Sequence, residues 1–339
     1  AVYAQARASV RRRWIDHPAL KFVVFPLIPA LPAFRLHQHI AYGGTFGGPI
    51  LKDRLFFFAN YEKFTRSKPS PDLAAYVDNF WFMRGRGPAA MPEGHRILPD
   101  GSMEFVFQLG DPFFERRPDG RWRKQPHLLF VGQMERRTDI KPSGVIHTAG
   151  IHFHPAGGSA FVAGDLGRFV NRIVPLASAL GEDPTPVAAR LGAARTPKRR
   201  VAILEEFLRT RRRPRDEAMA KASRALSEAT DAVDIEGMAR AFGLSDRQFR
   251  RRFEAAVGLG PKRFARIVRF QRVFEQRLEH DARAWSEVAL DCGYYDQAHF
   301  NRDFRAFAGV KPRDIIKDAD PLTAFFLSVS SKTGDGAAR

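Results

Sequence analysis

The stretch Met238-Ala-Arg-Ala-Phe-Gly-Leu-Ser-Asp-Arg-Gln-Phe-Arg-Arg-Arg-Phe253, closed by Gly258-Leu-Gly-Pro261, decides the fold. It returns further along the chain. Arg251, Phe253, Gly258 and Pro261 reappear as Arg302, Phe304, Gly309 and Pro312, and Ala239 and Gly243 as Ala289 and Gly293. A repeat that keeps small residues, aromatics and arginines in register marks two copies of one helical unit.

Within each copy the spacing predicts a helix, a sharp turn and a second helix. Ile235, Met238, Ala239 and Phe242 fall at i, i+3, i+4 and i+7, and Trp285, Val288, Ala289 and Cys292 repeat the pattern. Cys292 therefore reads as a small core hydrophobe, not as a redox thiol. Gly243 and Gly293 supply the positive φ of the turn. Ser245 and Asp296 are placed to cap the next helices, expected over about Asp246–Val257 and Asp296–Phe307.

In those second helices Phe249 and Phe253, like Phe300 and Phe304, sit four apart and turn inward. That leaves Arg247, Gln248, Arg250 and Arg251 outward in the first copy, and Gln297, His299, Asn301 and Arg302 in the second. Arg, Gln and Asn suit paired hydrogen bonds to purine edges in the major groove. Between the copies, Pro261–His280 reads as one helix with an apolar stripe and five arginines on its remaining surface. Such a helix is roughly 27–30 Å long, near the ~34 Å that separates successive major grooves. Residues 235–317 hold 17 Lys and Arg against 11 Asp and Glu, which favours phosphate attraction.

These motifs, together with Gly293-Tyr-Tyr-Asp-Gln-Ala-His-Phe-Asn-Arg-Asp-Phe304 and Gly309-Val-Lys-Pro312, resemble the DNA-binding domain of the AraC/XylS family of bacterial transcription regulators. The resemblance covers about 217 to 317. By motif position it implies base readers at Arg247, Arg250, Arg251, Gln297, His299, Asn301 and Arg302, with the small Ala298 standing at a further contact position. A weaker likeness, carried by Leu98-Pro-Asp-Gly101 and Phe153-His-Pro-Ala-Gly-Gly158, links 69–175 to a poorly understood sensor-like domain found on some members.

The 339 residues allow about two domains. Lys and Arg outnumber Asp and Glu 55 to 37, for a net charge of +18. This points to nucleic acid or an anionic surface as partner. A single cysteine excludes an intrachain disulfide and a Cys-based zinc site. No apolar run reaches the length of a spanning helix. The nearest, Phe22–Phe34, is broken by Pro26, Pro29 and Pro32, which argues against a signal peptide.

Residues 1–68 read differently from the rest. Gly44 to Glu62 resembles a segment of TonB-dependent outer-membrane receptors, far short of the eight strands a barrel needs. The segment is read as disordered or fusion-derived. From 69 to 182, strands are expected at Tyr76–Met83, Met103–Leu109, His127–Val131 and Val145–His154, separated by Pro- and Gly-containing turns, with a helical stretch from Ala160 to Leu180. Residues 183–216 read as a helical linker with a helix near Lys198–Thr210 and a solvated run from Arg211 to Arg215, and 318–339 as a flexible tail.

The fold expected is thus multidomain α+β: a small β-rich barrel or sandwich, then an all-α double helix-turn-helix domain. The resemblance implies a cytoplasmic, non-enzymatic transcription regulator. Its partner is double-stranded DNA, with RNA polymerase, a small-molecule effector and a second copy as further partners, no membrane partner and no cofactor. The alternative is a metal-dependent cupin-like enzyme with a helical appendage, resting on His152 and His154 with His147 nearby. The Gly and Glu of a cupin pattern are missing, and no catalytic or metal-binding residue is assigned.

Overall fold

The computed structural model describes residues 40–45, 60–86, 94–229, 233–279 and 284–312. The chain divides into Ala1–Leu36 and His37–Arg339, and every described residue lies in the second unit.

The β-rich part holds eleven strands among the described residues: β1 (Ile40–Thr45), β2 (Asn60–Ser67), β3 (Val77–Arg86), β4 (His95–Ile97), β5 (Glu104–Gln108), β6 (Phe114–Arg116), β7 (Trp122–Lys124), β8 (Leu128–Val131), β9 (Thr138–Lys141), β10 (Val145–Phe153) and β11 (Ile173–Pro175). They form a seven-stranded sheet in the order β1-β2-β3-β10-β5-β8-β11 and a four-stranded sheet in the order β4-β9-β6-β7. Both are open and antiparallel, so the expectation of a barrel is not met. The central strands are aromatic because the sheet is covered. Phe80, Phe105, Phe107, Phe130 and Phe153 are buried on one face, with Phe105 edge-on to Phe130 and Phe153 at 5.6 and 4.8 Å. On the other face Gly150 lets β10 pass close over the Trp81 indole, where a Cβ would lie 2.0 Å from the ring.

Three sequence readings change here. The stretch expected to be helical from 160 to 180 holds only single 3-10 turns at Gly157–Ala160 and Leu166–Phe169, then β11 at the sheet edge, before helix α1 (Leu176–Leu180). Ile173 pairs with Val131, and a β-branched pair completing an edge outweighs the weak helical pattern. The second change concerns 183–216: the helix expected near Lys198–Thr210 is present, but the segment packs onto the sheet. Helices α2 (Thr185–Ala193) and α3 (Pro197–Arg209) bury Val187, Leu191, Ile203, Leu204, Phe207 and Leu208 against the phenylalanines of the sheet. In the basic run that follows, Arg212 and Arg213 are exposed as expected, while its two ends are held down. The Arg211 guanidinium lies 4.1 Å from the Phe207 ring, Arg215 lies 4.1 Å from the Tyr76 ring, and Arg215 donates to the Ala75 carbonyl at 2.7 Å.

The third concerns the N-terminal segment. Ordered pairing reaches back before 69, since β2 pairs with β3 from Lys63–Arg84 to Ser67–Phe80, and β1 pairs with β2. The remainder of 1–68, including the Phe22–Phe34 run, and the tail 318–339 lie outside the described residues.

The helical part follows: α4 (Glu217–Glu228), α5 (Ile235–Ala241), α6 (Asp246–Val257), α7 (Pro261–Glu279), α8 (Trp285–Asp291) and α9 (Gln297–Ala308). One apolar core runs through both repeats and includes Leu98 and Ala156 from the β-rich part. Cys292 is fully buried in that core.

Candidate nucleic-acid interface

Each repeat folds as a helix-turn-helix: α5 and α6 in the first, α8 and α9 in the second. Ala239 and Ala289, both 1% exposed, are small enough for the two helices of a unit to approach closely. Gly243 and Gly293 stand at φ of 66° and 80°, the left-handed conformation the turn needs. The Ser245 hydroxyl and the Asp296 carboxylate then cap α6 and α9. Gly258 and Gly309 close the same helices, again with positive φ.

Four phenylalanines orient the reading faces. Phe249 and Phe253 pack at 5.8 Å between centroids, and Phe300 and Phe304 at 5.4 Å, all buried. Their burial turns the opposite face of each helix to solvent. Arg247 and Arg251 project there from α6, and Gln297, Ala298 and Arg302 from α9. Asn301 is half-buried at the edge of its face.

Three of the expected readers are engaged within the protein. Gln248 belongs to a capping box: its Oε1 accepts from the Ser245 amide at 3.0 Å, and its own amide donates to the Ser245 hydroxyl. Its exposed position had suggested base reading, but Gln at the third helical residue after Ser is the capping signature. Arg250 pairs with Asp246 one turn back at 2.9 Å. His299 sits edge-on to Tyr294 at 5.0 Å and 4.0 Å from Asp303.

Four arginines of α7 are engaged within the protein. Arg266 pairs with the buried Asp303 of α9 at 2.6 Å. Arg269 stacks over Tyr294, Arg272 donates to the carbonyls of Ser227 and Ala229, and Arg263 reaches Glu135. Arg252 likewise grips Asp216 through two hydrogen bonds. Sequence reasoning treated the exposed arginines as a group. Their acidic partners, 36, 37 or 128 residues away, carry no local signal.

Of the histidines of the alternative reading, His147 parts from the other two, while His152 and His154 line one cavity. His147 and His152 are an odd number of residues apart on β10, so they face opposite sides of the sheet. His147 contacts Arg84 at 3.0 Å, and burial, with Arg84 and Arg200, pushes it down to about 4. His152 is buried between Asp100 at 3.0 Å and Asp78 at 3.5 Å. Burial alone would lower its pKa, but the hydrogen bonds to Asp100 and Asp78 prevail and hold it well above the usual imidazole value. His154 lies half-buried beyond the strand end. Among the described residues no cluster of three or more His, Cys, Asp or Glu is arranged to hold a metal ion.

Fold and site together define the C-terminal domain as a double helix-turn-helix domain. Residues 238–318 match the family model of a helix-turn-helix domain. Two relatives are HTH-type transcriptional activators named RhaS. The one from Escherichia coli strain SE11 is 31% identical and the one from Escherichia fergusonii 32% identical, each over 90 residues, covering 26% of this chain and 32% of theirs. The chain thus matches about a third of the length of these curated relatives.

Residues 65–175 match a domain of unknown function, DUF6597, and residues 29–79 match an outer membrane beta barrel domain. Among solved structures, ToxT from Vibrio cholerae is similar with a TM-score of 0.43 and 9% identity, covering 70% of this chain and 98% of that one. Among the described residues no helix is long and apolar enough to cross a membrane.

Proposed function

We propose that the protein is a cytoplasmic, non-enzymatic transcription regulator that binds double-stranded DNA sequence-specifically through α6 and α9. The observation that carries this is the pair of outward faces, Arg247 and Arg251 on one helix and Gln297 and Arg302 on the other. Neither Arg251 nor Arg302 has a hydrogen-bond or ion-pair partner among the described residues. An exposed guanidinium on a rigid helix is prepared for the paired acceptors of guanine. Arg247 and Gln297, nearer the helix N-termini, take further base or backbone contacts. Arg250, His299 and Asn301 complete the reading set once their internal contacts exchange for DNA, and Gln248 contributes by fixing the start of α6.

The β-rich part acts as the sensing or assembly module, with a small effector, a second copy and RNA polymerase as its partners in regulation. The open sheets favour this role over a metal-dependent cupin-like enzyme. The test is selection of bound sites from a random duplex library, followed by titration of the best site against salt. Enrichment of a motif and a steep fall of log affinity with log salt are expected. A library that stays random after selection would refute sequence-specific binding.

A further inference from the structure

A cavity of about 370 Å³ lies between the β-rich part and the helices, within the size range of small-molecule sites. Asp78, Asp100 and His152 line it from the sheet side, and Arg224, Gln271 and Arg272 from α4 and α7. One buried polar atom on these linings has no hydrogen-bond partner: Gln271 Oε1, on a side chain of a residue 5% exposed. The Gln271 amide is held in place, because its Nε2 donates to the Pro99 carbonyl across the domain boundary. Its oxygen is thereby fixed as an acceptor awaiting a donor, and leaving a buried acceptor unsatisfied is unfavourable.

Charge is divided between the walls. Two carboxylates, Asp78 and Asp100, stand on the sheet side and outnumber the one His152 imidazole between them, and guanidinium groups stand on the helical side at Arg224 and Arg272. The Arg272 guanidinium is committed to the carbonyls of Ser227 and Ala229. Arg224 is exposed at the rim and has no hydrogen-bond or ion-pair partner among the described residues. It is near enough to act on His154, which burial first and then the charges of His152 and Arg224 hold below the usual value against the pull of Asp78. A ligand with one charge would suit only one wall. A ligand bearing an ammonium and a carboxylate would suit both.

We propose that this cavity binds a small zwitterion, its ammonium directed to Gln271 Oε1 and the Asp78 and Asp100 carboxylates, its carboxylate to Arg224. Such a ligand bridges β3 and the loop after β4 to α4 and α7, so its occupancy bears on how the sheet holds the helices. The role as effector rests on the DNA-binding reading above; the binding itself does not.

The experiment is thermal unfolding of the full chain with each common amino acid at millimolar concentration, and with propylamine and propionate as singly charged controls. At least one amino acid raises Tm in a concentration-dependent way, as mass action requires, and the controls do not. Arg224→Ala, at an exposed position, leaves the unliganded Tm unchanged and weakens the effect by about tenfold or more, as does Gln271→Leu. The proposal falls if no amino acid shifts Tm, if propylamine or propionate acts equally well, or if the shift survives in Arg224→Ala. DNA binding is measured separately on the same preparations. Amino-acid binding without DNA binding would remove the proposed function and leave the site standing, and DNA binding without any amino-acid shift would do the reverse.

Discussion

The amide of Arg137 donates to the carbonyl of Phe307 at 2.8 Å, and its guanidinium reaches the carbonyl of Ala308 at 3.3 Å. A loop of the β-rich part thus takes up carbonyls at the C-terminal end of α9 that no intrahelical amide can satisfy. Gln133, four residues earlier, lies against Gly258, where a Cβ would stand 3.1 Å from its Cγ. The same loop therefore touches the closing glycines of both recognition helices, and Glu135 adds the ion pair to Arg263 at the start of α7.

Arg137→Ala removes the guanidinium contact and leaves the backbone bond. The expected loss is about 1 kcal/mol of stability, together with faster amide exchange at the end of α9. Hydrogen exchange resolved to residues 304–309 checks this. Unchanged exchange there would show that the loop does not restrain the helix.

The exposed arginines and the capping glutamine should separate cleanly. Arg251→Ala and Arg302→Ala are each expected to cost about 1–3 kcal/mol of DNA binding and to relax preference at one base pair, with folding unaffected. Gln248→Ala is expected to lower thermal stability through the lost capping box, by roughly 0.5–2 kcal/mol. Binding curves on matched and single-substituted duplexes, set beside melting curves, distinguish the two behaviours. Base-specific loss in Gln248→Ala without destabilisation would restore it as a reader.

How much of this was legible in the sequence follows the range of the interactions. Both turns, the caps at Ser245 and Asp296 and the long α7 are set by residues within four positions of one another, and the repeat shows the turn and cap pattern twice. The four main strands were legible for the same reason. What was hidden depends on distant partners. Arg266 looks like Arg302 in sequence, yet one is tied to Asp303 and the other faces solvent. Strands of three residues such as β4, β6 and β7 exist through their neighbours in the second sheet and carry too little pattern to be read alone. The packing of α2 and α3 on the sheet was missed because a run of arginines dominates the composition there.

Stability should fall as pH rises from mildly acidic to mildly alkaline. Glu104 keeps some exposed surface, but its carboxyl is enclosed beside Trp81, Asp100, His152 and Arg66, and burial pushes it up to about 7. His152 is also held above its ordinary value. Both groups bind their protons more tightly folded than unfolded, so their contribution is complete below the unfolded values and is lost as pH passes the folded ones. For Glu104 that window runs from 4.5 to about 7. Asp78 is shifted down, since contact with His152 outweighs its burial, and its contribution is lost only toward stronger acid. Glu104→Gln, still able to accept from Trp81, should flatten the decline. An unchanged slope of Tm against pH in that variant would locate the effect elsewhere.

Core truncation should not discriminate between the repeats. Phe253 and Phe304 are both fully buried, and each Phe→Ala change is expected to cost about 3–5 kcal/mol in denaturant unfolding. A much smaller loss at one of them would mean that its repeat is not packed into the shared core.

The most direct test of two-helix reading is hydroxyl-radical footprinting on a selected duplex, comparing the full chain with Arg251→Ala and Arg302→Ala. Two protected patches about one helical turn apart are expected, on one face of the duplex, each variant weakening a different patch. A single patch, or two patches that both variants weaken alike, would contradict it.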